Sequence, residues 1–170
     1  VSLNKVFIAL GTNIGNWKNN LNQSFIQLNK IGHITNSGSV YLSNPYGFKD
    51  QDYFYNTAIE LTTTLGVMKL MEELKIIEKK IQKNKLVTNG PRRIDLDIIF
   101  FNKMIIKKNS LLIPHPRAHL RDFVLYPIYD MSPFFRHPSE KKTIKELIYN
   151  LKENYIFKKI NRRKDSVLIY

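Results

Sequence analysis

Apolar residues along this chain switch between unbroken runs and helical spacing, and the switches divide it into elements. Lys5-Val6-Phe7-Ile8-Ala9-Leu10, closed by Gly11-Thr12-Asn13-Ile14-Gly15-Asn16, reads as a strand delivered into a tight turn. From Trp17 to Ile31 the apolar positions Leu21, Phe25, Ile26 and Leu28 fall on one helical face, with Gly32 as the expected C-cap. Ser39-Val40-Tyr41-Leu42 predicts a short strand, followed by a turn-rich, aromatic loop over residues 43–52 and a second strand from Tyr55 to Leu65. The clearest helix is Val67 to Ile81, where Leu70, Leu74, Ile77 and Ile81 repeat at helical spacing among Lys and Glu.

Beyond a flexible stretch from Gln82 to Asn89, the run from Ile94 to Phe101 is again apolar and β-prone, with Met104 to Ile106 expected as its hairpin partner. Ile113-Pro114-His115-Pro116-Arg117 is a proline-pinned loop. An apolar segment, residues 122–129, precedes a last helix from Ile144 to about Leu151, and Val167-Leu168-Ile169 is a final candidate strand beyond a basic tail. No repeat, linker or domain boundary interrupts the pattern, so residues 1–170 are read as one domain. Strands and helices in mixed order predict an α+β protein, a helix-covered sheet that is not purely parallel.

The anomaly in this pattern is the pair Asp95 and Asp97 inside an apolar strand. Residues two apart on a strand share a face, roughly 7 Å apart at the backbone. Two carboxylates there are costly unless something positive meets them. Arg92 and Arg93 stand just upstream, after Gly90-Pro91. Carboxylate oxygens suit Mg²⁺ and guanidinium forks suit phosphate, so the residues point to metal-assisted phosphoryl transfer.

Composition narrows the partners. The chain has 27 Lys and Arg against 14 Asp and Glu, a formal net charge of +13, which favours anionic ligands without choosing among nucleotides, nucleic acid and acidic lipid. The absence of cysteine excludes disulfides, thiolate catalysis and cysteine-bound zinc. No apolar run is long enough to span a bilayer, and the opening Val1-Ser2-Leu3-Asn4-Lys5 is not a signal peptide, so a cytoplasmic protein without membrane contact is expected. His33, His119 and His137 are expected at the surface, since their spacing builds no metal site. No Gly-Lys-Ser/Thr follows Gly11 and Gly15, which rules out a Walker-type phosphate loop.

Gly90-Pro91-Arg92-Arg93-Ile94-Asp95-Leu96-Asp97-Ile98 resembles the hallmark segment of the 6-hydroxymethyl-7,8-dihydropterin pyrophosphokinase family. Three further segments match in order: Leu10-Gly11-Thr12-Asn13-Ile14-Gly15, then Asn44-Pro45-Tyr46-Gly47 with Phe54-Tyr55-Asn56, then Ile113-Pro114-His115-Pro116-Arg117 with Arg121-Asp122-Phe123. The resemblance implies a ferredoxin-like α+β sandwich with a mostly antiparallel, mixed sheet. It also implies transfer of pyrophosphate from ATP to the hydroxymethyl arm of a reduced pterin, yielding AMP and the pterin diphosphate for folate biosynthesis. It places two Mg²⁺ ions on Asp95 and Asp97, with Arg92 beside them. Lys83, Lys85, Arg92, Ile98, His115, Arg117 and Arg121 would hold ATP. Ser43, Pro45, Tyr46, Phe54, Asn56 and Phe123 would hold the pterin, the two phenylalanines sandwiching its ring. Small-molecule substrates, a monomer and no nucleic acid are the partners it implies.

Three departures stand out. Thr88-Asn89 replace the family's usual Arg-Trp in a loop one residue short, Lys83 and Lys85 fall where arginines are frequent, and Asn44 replaces the first of two prolines. An RNA-binding module and a metal-dependent nuclease are the rival classes. The first would require a basic-aromatic strand of the RNA-recognition type, which the chain lacks, and paired carboxylates would repel a phosphate backbone. The aromatic and asparagine positions favour a small flat substrate over a nuclease's polymer.

Overall fold

The computed structural model describes residues 1–82 and 90–160. In chain order the elements are β1 (Asn4–Thr12), α1 (Trp17–Leu28), β2 (His33–Ser37), β3 (Val40–Ser43), β4 (Phe54–Thr63), α2 (Val67–Ile81), β5 (Asp95–Phe101), β6 (Ile106–Lys108), β7 (Leu111–Ile113), a 3₁₀ turn (Ala118–Leu120), α3 (Asp122–Met131), α4 (Ile144–Tyr149) and β8 (Ile156–Ile160). The main sheet has the order β5-β1-β4-β3-β8, with β2 on β4 beside β3, and each of these pairs is antiparallel. The path β1-α1-β3-β4-α2-β5 with that order is the ferredoxin-like arrangement.

Alternation along β1 divides the interior in two. Val6, Ile8 and Leu10 face Leu21, Phe25 and Leu28 of α1 and Leu70, Leu74 and Ile77 of α2. Phe7 faces the other way, toward Val124, Leu125 and Ile128 of α3 and Ile144 and Leu147 of α4. The i, i+4, i+7 spacing of both helical triads turns one stripe to the sheet, which is what makes these segments helical in context. Asn16 caps α1 by accepting from Asn19 N, and Thr143 with Glu146 forms a capping box at α4. Gly38, between β2 and β3, lies so close to Pro127 of α3 that a Cβ would sit 2.4 Å from the proline carbonyl oxygen. Only glycine permits that approach.

The register of β5 on β1 sets the site. Asp95 lies opposite Gly11 and Asp97 opposite Ala9, so both carboxylates share the α3 face at the open end of the strand. A bulge between Phe7 and Ile8 shifts the pairing, and Ile99 and Phe100 both join the α3 and α4 core. Because β5 is an edge strand, its outer backbone groups need other partners. The end of α2 supplies partners here: Glu78 accepts from Leu96 N at 2.9 Å, and the cap residue Gln82 accepts from Arg93 N and donates to Ile94 O just before the strand.

Several boundaries differ from the sequence reading. Helix α1 stops at Leu28 with Asn29 as its cap, ahead of Gly32. The hairpin partner expected for β5 at residues 104–106 is instead a turn in which Met104 N bonds Phe101 O, and Ile106–Lys108 pairs with Leu111–Ile113 as a separate two-stranded sheet. Residues 122–131 form a helix that contains Pro127, and β2 and β8 were not anticipated. His137 is buried rather than exposed, its Nδ1 accepting from Ser139 N and Glu140 N. The candidate strand at residues 167–169 lies outside the described residues, and among those described no helix is long and apolar enough to cross a membrane.

Candidate active site

One cleft, open to solvent, collects most of the candidate residues. A cleft in which a few polar groups converge beside aromatic faces suits a small-molecule site. Asp95, Asp97, Arg92, His115 and Arg121 line one part of it, and Ser43, Tyr46, Phe54, Asn56 and Phe123 the other. Ala9 and Gly11 of β1 form the floor between them. A Cβ at Gly11 would meet Asn56 Oδ1 and the Phe54 ring at 3.5 and 3.6 Å, so the bare backbone keeps this floor low.

Arg92 reaches Asp95 with an Nη1 to Oδ1 distance of 3.3 Å. Its backbone is fixed by Asn13, whose Oδ1 accepts from Arg92 N at 2.8 Å and whose N donates to Arg92 O at 3.0 Å. The Asn13 amide also donates to Gln51 Oε1 and Asp52 O, so one buried asparagine ties the arginine segment to the loop between β3 and β4. Burial pushes both aspartates above the usual carboxylate range. For Asp95 the neighbouring Asp97 adds to this, and for Asp97 the Glu78 carboxylate does, while Arg92 and Lys75 pull the other way at both. Glu78 is itself raised, chiefly by burial.

His115 is pushed down to about 4 by burial and by Arg121 and Arg117 beside it. Arg117 N donates to its Nδ1 at 3.2 Å, so the neutral ring carries its proton on Nε2. The Arg121 guanidinium stacks on the Tyr46 ring 4.4 Å from its centroid, and its buried Nε has no hydrogen-bond partner in the described structure.

Across the cleft, Asn56 is 6% exposed and donates to Ser43 Oγ at 2.9 Å and to Tyr41 O at 3.2 Å. Phe123 sits in the first turn of α3, with Tyr155 edge-on at 5.7 Å. Asp122, almost wholly buried, accepts from Phe123, Tyr155 and Ile156 backbone N–H groups, which fixes that corner.

Not every candidate converges. The Ile98 side chain packs in the α1 and α2 core, Pro45 stands outside the cleft lining, and Arg117 is exposed and reaches the site through Tyr46. Lys83, Lys85 and the Thr88-Asn89 departure lie outside the described residues. Sequence reasoning missed Asn13, Glu78, Gln82, Asp122 and Tyr155. Asn13 carried a signal as part of the strand-closing turn, and Asp122 as part of the Arg121-Asp122-Phe123 segment.

Among the described residues no three His, Asp, Glu or Cys groups converge as a metal cage. The donor set nonetheless fits Mg²⁺, which binds through one or two carboxylates and completes its shell with water and substrate phosphates. Two adjoining carboxylates already raised by burial are the groups a divalent cation would relieve.

Comparison with known proteins gives a consistent family. Residues 7–133 match the 7,8-dihydro-6-hydroxymethylpterin-pyrophosphokinase (HPPK) family. The chain is 38% identical over 130 residues to the 2-amino-4-hydroxy-6-hydroxymethyldihydropteridine pyrophosphokinase of Bacillus subtilis, covering 75% of this chain and 78% of that one. It is 40% identical over 148 residues to the folic acid synthesis protein FOL1 of Dictyostelium discoideum, covering 87% of this chain but 22% of that much longer protein. The Pneumocystis carinii fol1 protein is likewise spanned over 18% of its length, at 40% identity across 78% of this chain. Among solved structures, Plasmodium falciparum HPPK-DHPS superposes with a TM-score of 0.67 at 17% identity, over 87% of this chain and 44% of that one, and this likeness bears on the fold.

Proposed function

The chain belongs to the 7,8-dihydro-6-hydroxymethylpterin-pyrophosphokinase family, and from that premise we propose that it is an ATP-dependent diphosphokinase of folate biosynthesis. It transfers pyrophosphate from ATP to the hydroxymethyl group of 6-hydroxymethyl-7,8-dihydropterin, leaving AMP and the pterin diphosphate. The observation that carries this reading is the meeting, in one cleft, of a carboxylate pair flanked by arginines with an aromatic and asparagine wall.

In this reading Asp95 and Asp97 would hold Mg²⁺, two ions in all, and the chemistry such ions would supply is neutralisation of the charge that develops around the β-phosphorus. Arg92, Arg117 and Arg121, with Lys83 and Lys85, hold the triphosphate as cations. His115 offers a neutral Nε2–H to a phosphate oxygen. Phe54 and Phe123 take the faces of the pterin ring, and Asn56, Ser43 and the backbone around Pro45 and Tyr46 take its edge. The substrate hydroxyl oxygen attacks the β-phosphorus, the bond to the α-phosphate oxygen breaks, and the AMP oxygen leaves with the electron pair. The hydroxyl proton would pass to Asp97 as the new bond forms. Residues 1–170 act as one pterin pyrophosphokinase domain, a cytoplasmic monomer working on small molecules. The test is AMP release from ATP. It should require both Mg²⁺ and the hydroxymethyl pterin, and AMP formed without the pterin would refute the reading.

A further inference from the structure

Tyr46 belongs to the loop between β3 and β4, on the pterin side of the cleft, yet its side chain is engaged with the opposite side. Its hydroxyl accepts from Arg117 Nη1 at 2.8 Å. Its ring lies under the Arg121 guanidinium at 4.4 Å, with Arg117 farther out at 6.0 Å. Tyr155 packs against the same ring at 5.7 Å and an interplanar angle of 64°. Tyr155 is in turn held by Asp122 through its backbone N–H, and its carbonyl accepts from Asn44 N at 2.9 Å. The phenol ring is therefore braced from behind and turned toward two cations.

A guanidinium stacked face-on against a ring keeps its N–H edge free, because cation–π attraction uses the face and hydrogen bonding the perimeter. Arg121 lies over the Tyr46 ring at 4.4 Å and farther from the Phe123 ring at 5.8 Å, so Tyr46 gives it its nearer aromatic support. An aliphatic residue at position 46 would leave this long side chain to search its rotamers and lose that entropy on binding.

We propose that Tyr46 is a positioning residue that sets Arg121 and Arg117 for the anionic half of the substrate, by ring stacking on the first and a hydrogen bond to the second. The role rests on the reading of the cleft as a nucleotide and pterin site, and it deepens that reading by assigning a pterin-loop side chain to nucleotide affinity.

The test measures KM for ATP and for hydroxymethyl-dihydropterin in Tyr46→Leu and Tyr46→Phe, with binding of a non-hydrolysable ATP analogue and thermal unfolding of each variant. Tyr46→Leu should raise the ATP KM and the analogue Kd about tenfold, the scale of a lost cation–π contact and charged hydrogen bond. The pterin KM should move less than about threefold, and Tyr46→Phe, which keeps the ring, should recover most of the nucleotide affinity. In an Arg121→Ala background, Tyr46→Leu should add much less than it does alone. Equal rises in both KM values, or full additivity with Arg121→Ala, would overturn the role and leave Tyr46 as a loop support. A wild-type chain that binds no ATP analogue would bring down the functional reading itself and this role with it. Wild-type binding that Tyr46→Leu leaves intact would bring down the role alone.

Discussion

On the β4 wall of the cleft, Asn56 is buried with its amide engaged by Ser43 and the Tyr41 carbonyl, and Asp122 answers three backbone donors behind Phe123. On the β5 wall, Asp95 and Asp97 are pushed toward protonation by burial and by carboxylate neighbours, and nearby cations, among them Arg92 paired with Asp95 at 3.3 Å, offset this in part. The first wall has its polar groups satisfied as it stands; the second holds carboxylates under electrostatic tension, which a bound cation would relieve. Surfaces that recognise a neutral ring can be finished in advance, whereas surfaces that handle phosphate and metal hold charge in reserve.

The sharpest way to break this contrast is Asp97→Ala. If Asp97 holds the metal as proposed, its loss should remove several kcal/mol of transition-state stabilisation, a fall in kcat of about a thousandfold or more. The same substitution removes a strained carboxylate, so the thermal midpoint measured without Mg²⁺ should stay level or rise. Turnover near the wild-type rate would contradict the assignment of Asp97, and a large drop in stability would contradict the tension.

Asn56→Ala probes the finished wall and should behave in the opposite manner. It removes buried hydrogen bonds, so stability should drop by about 1–3 kcal/mol. Pterin KM should rise about tenfold or more, while ATP KM changes little. Steady-state kinetics with each substrate varied separately reads both. Equal losses for the two substrates would place Asn56 outside the pterin half.

The two walls also differed in how far the sequence disclosed them. Asp95, Asp97 and Arg92 stood out because charge inside an apolar strand is a local contradiction, visible without any tertiary knowledge. Strand β1, helix α2 and strand β5 were readable because their periodicity is uninterrupted. The segment 122–131 was not, because Pro127 lacks the N–H a helix interior uses, and burial of Val124, Leu125 and Ile128 against the sheet outweighs that loss. Strand β8 escaped notice because Lys158 and Lys159 dominate its composition, while its ladder partner β3 supplies the reason it is extended. Gln82 and Glu78 act on backbone groups of residues distant in the chain, and such contacts leave no pattern in a single sequence.

Stability against pH offers a finer test of the tension. An unfolded aspartate titrates near 3.8, and both site aspartates titrate higher in the folded chain. Above that lower value the unfolded chain releases protons that the folded chain retains. Stability from these two groups therefore falls as pH rises from about 3.8 through their folded pKa values, and it stays lower above them. Denaturant titrations at several pH values should show this slope flattened in Asp97→Asn. An unchanged slope would mean that the pair carries no strain.

The smallest expected effect is the titration of His115, on the same wall but opposite in sign. Burial and the two neighbouring arginines hold its pKa to about 4, against an ordinary 6.5. Between those values the unfolded chain takes up a proton that the folded chain refuses, so this group's contribution to stability is present above pH 6.5 and is lost as pH falls toward 4. Observed by NMR, the His115 ring should remain neutral at pH 6, with Nε2 protonated because Nδ1 accepts from Arg117 N. A bound triphosphate would place negative charge beside the ring and partly cancel the arginines, raising the midpoint toward the ordinary value. A midpoint near 6.5 in the free protein would mean that neither burial nor the arginines perturb the ring. A depressed midpoint that ignores the nucleotide would mean that phosphate binds away from His115, and the β5 wall would then shrink to the aspartates and Arg92.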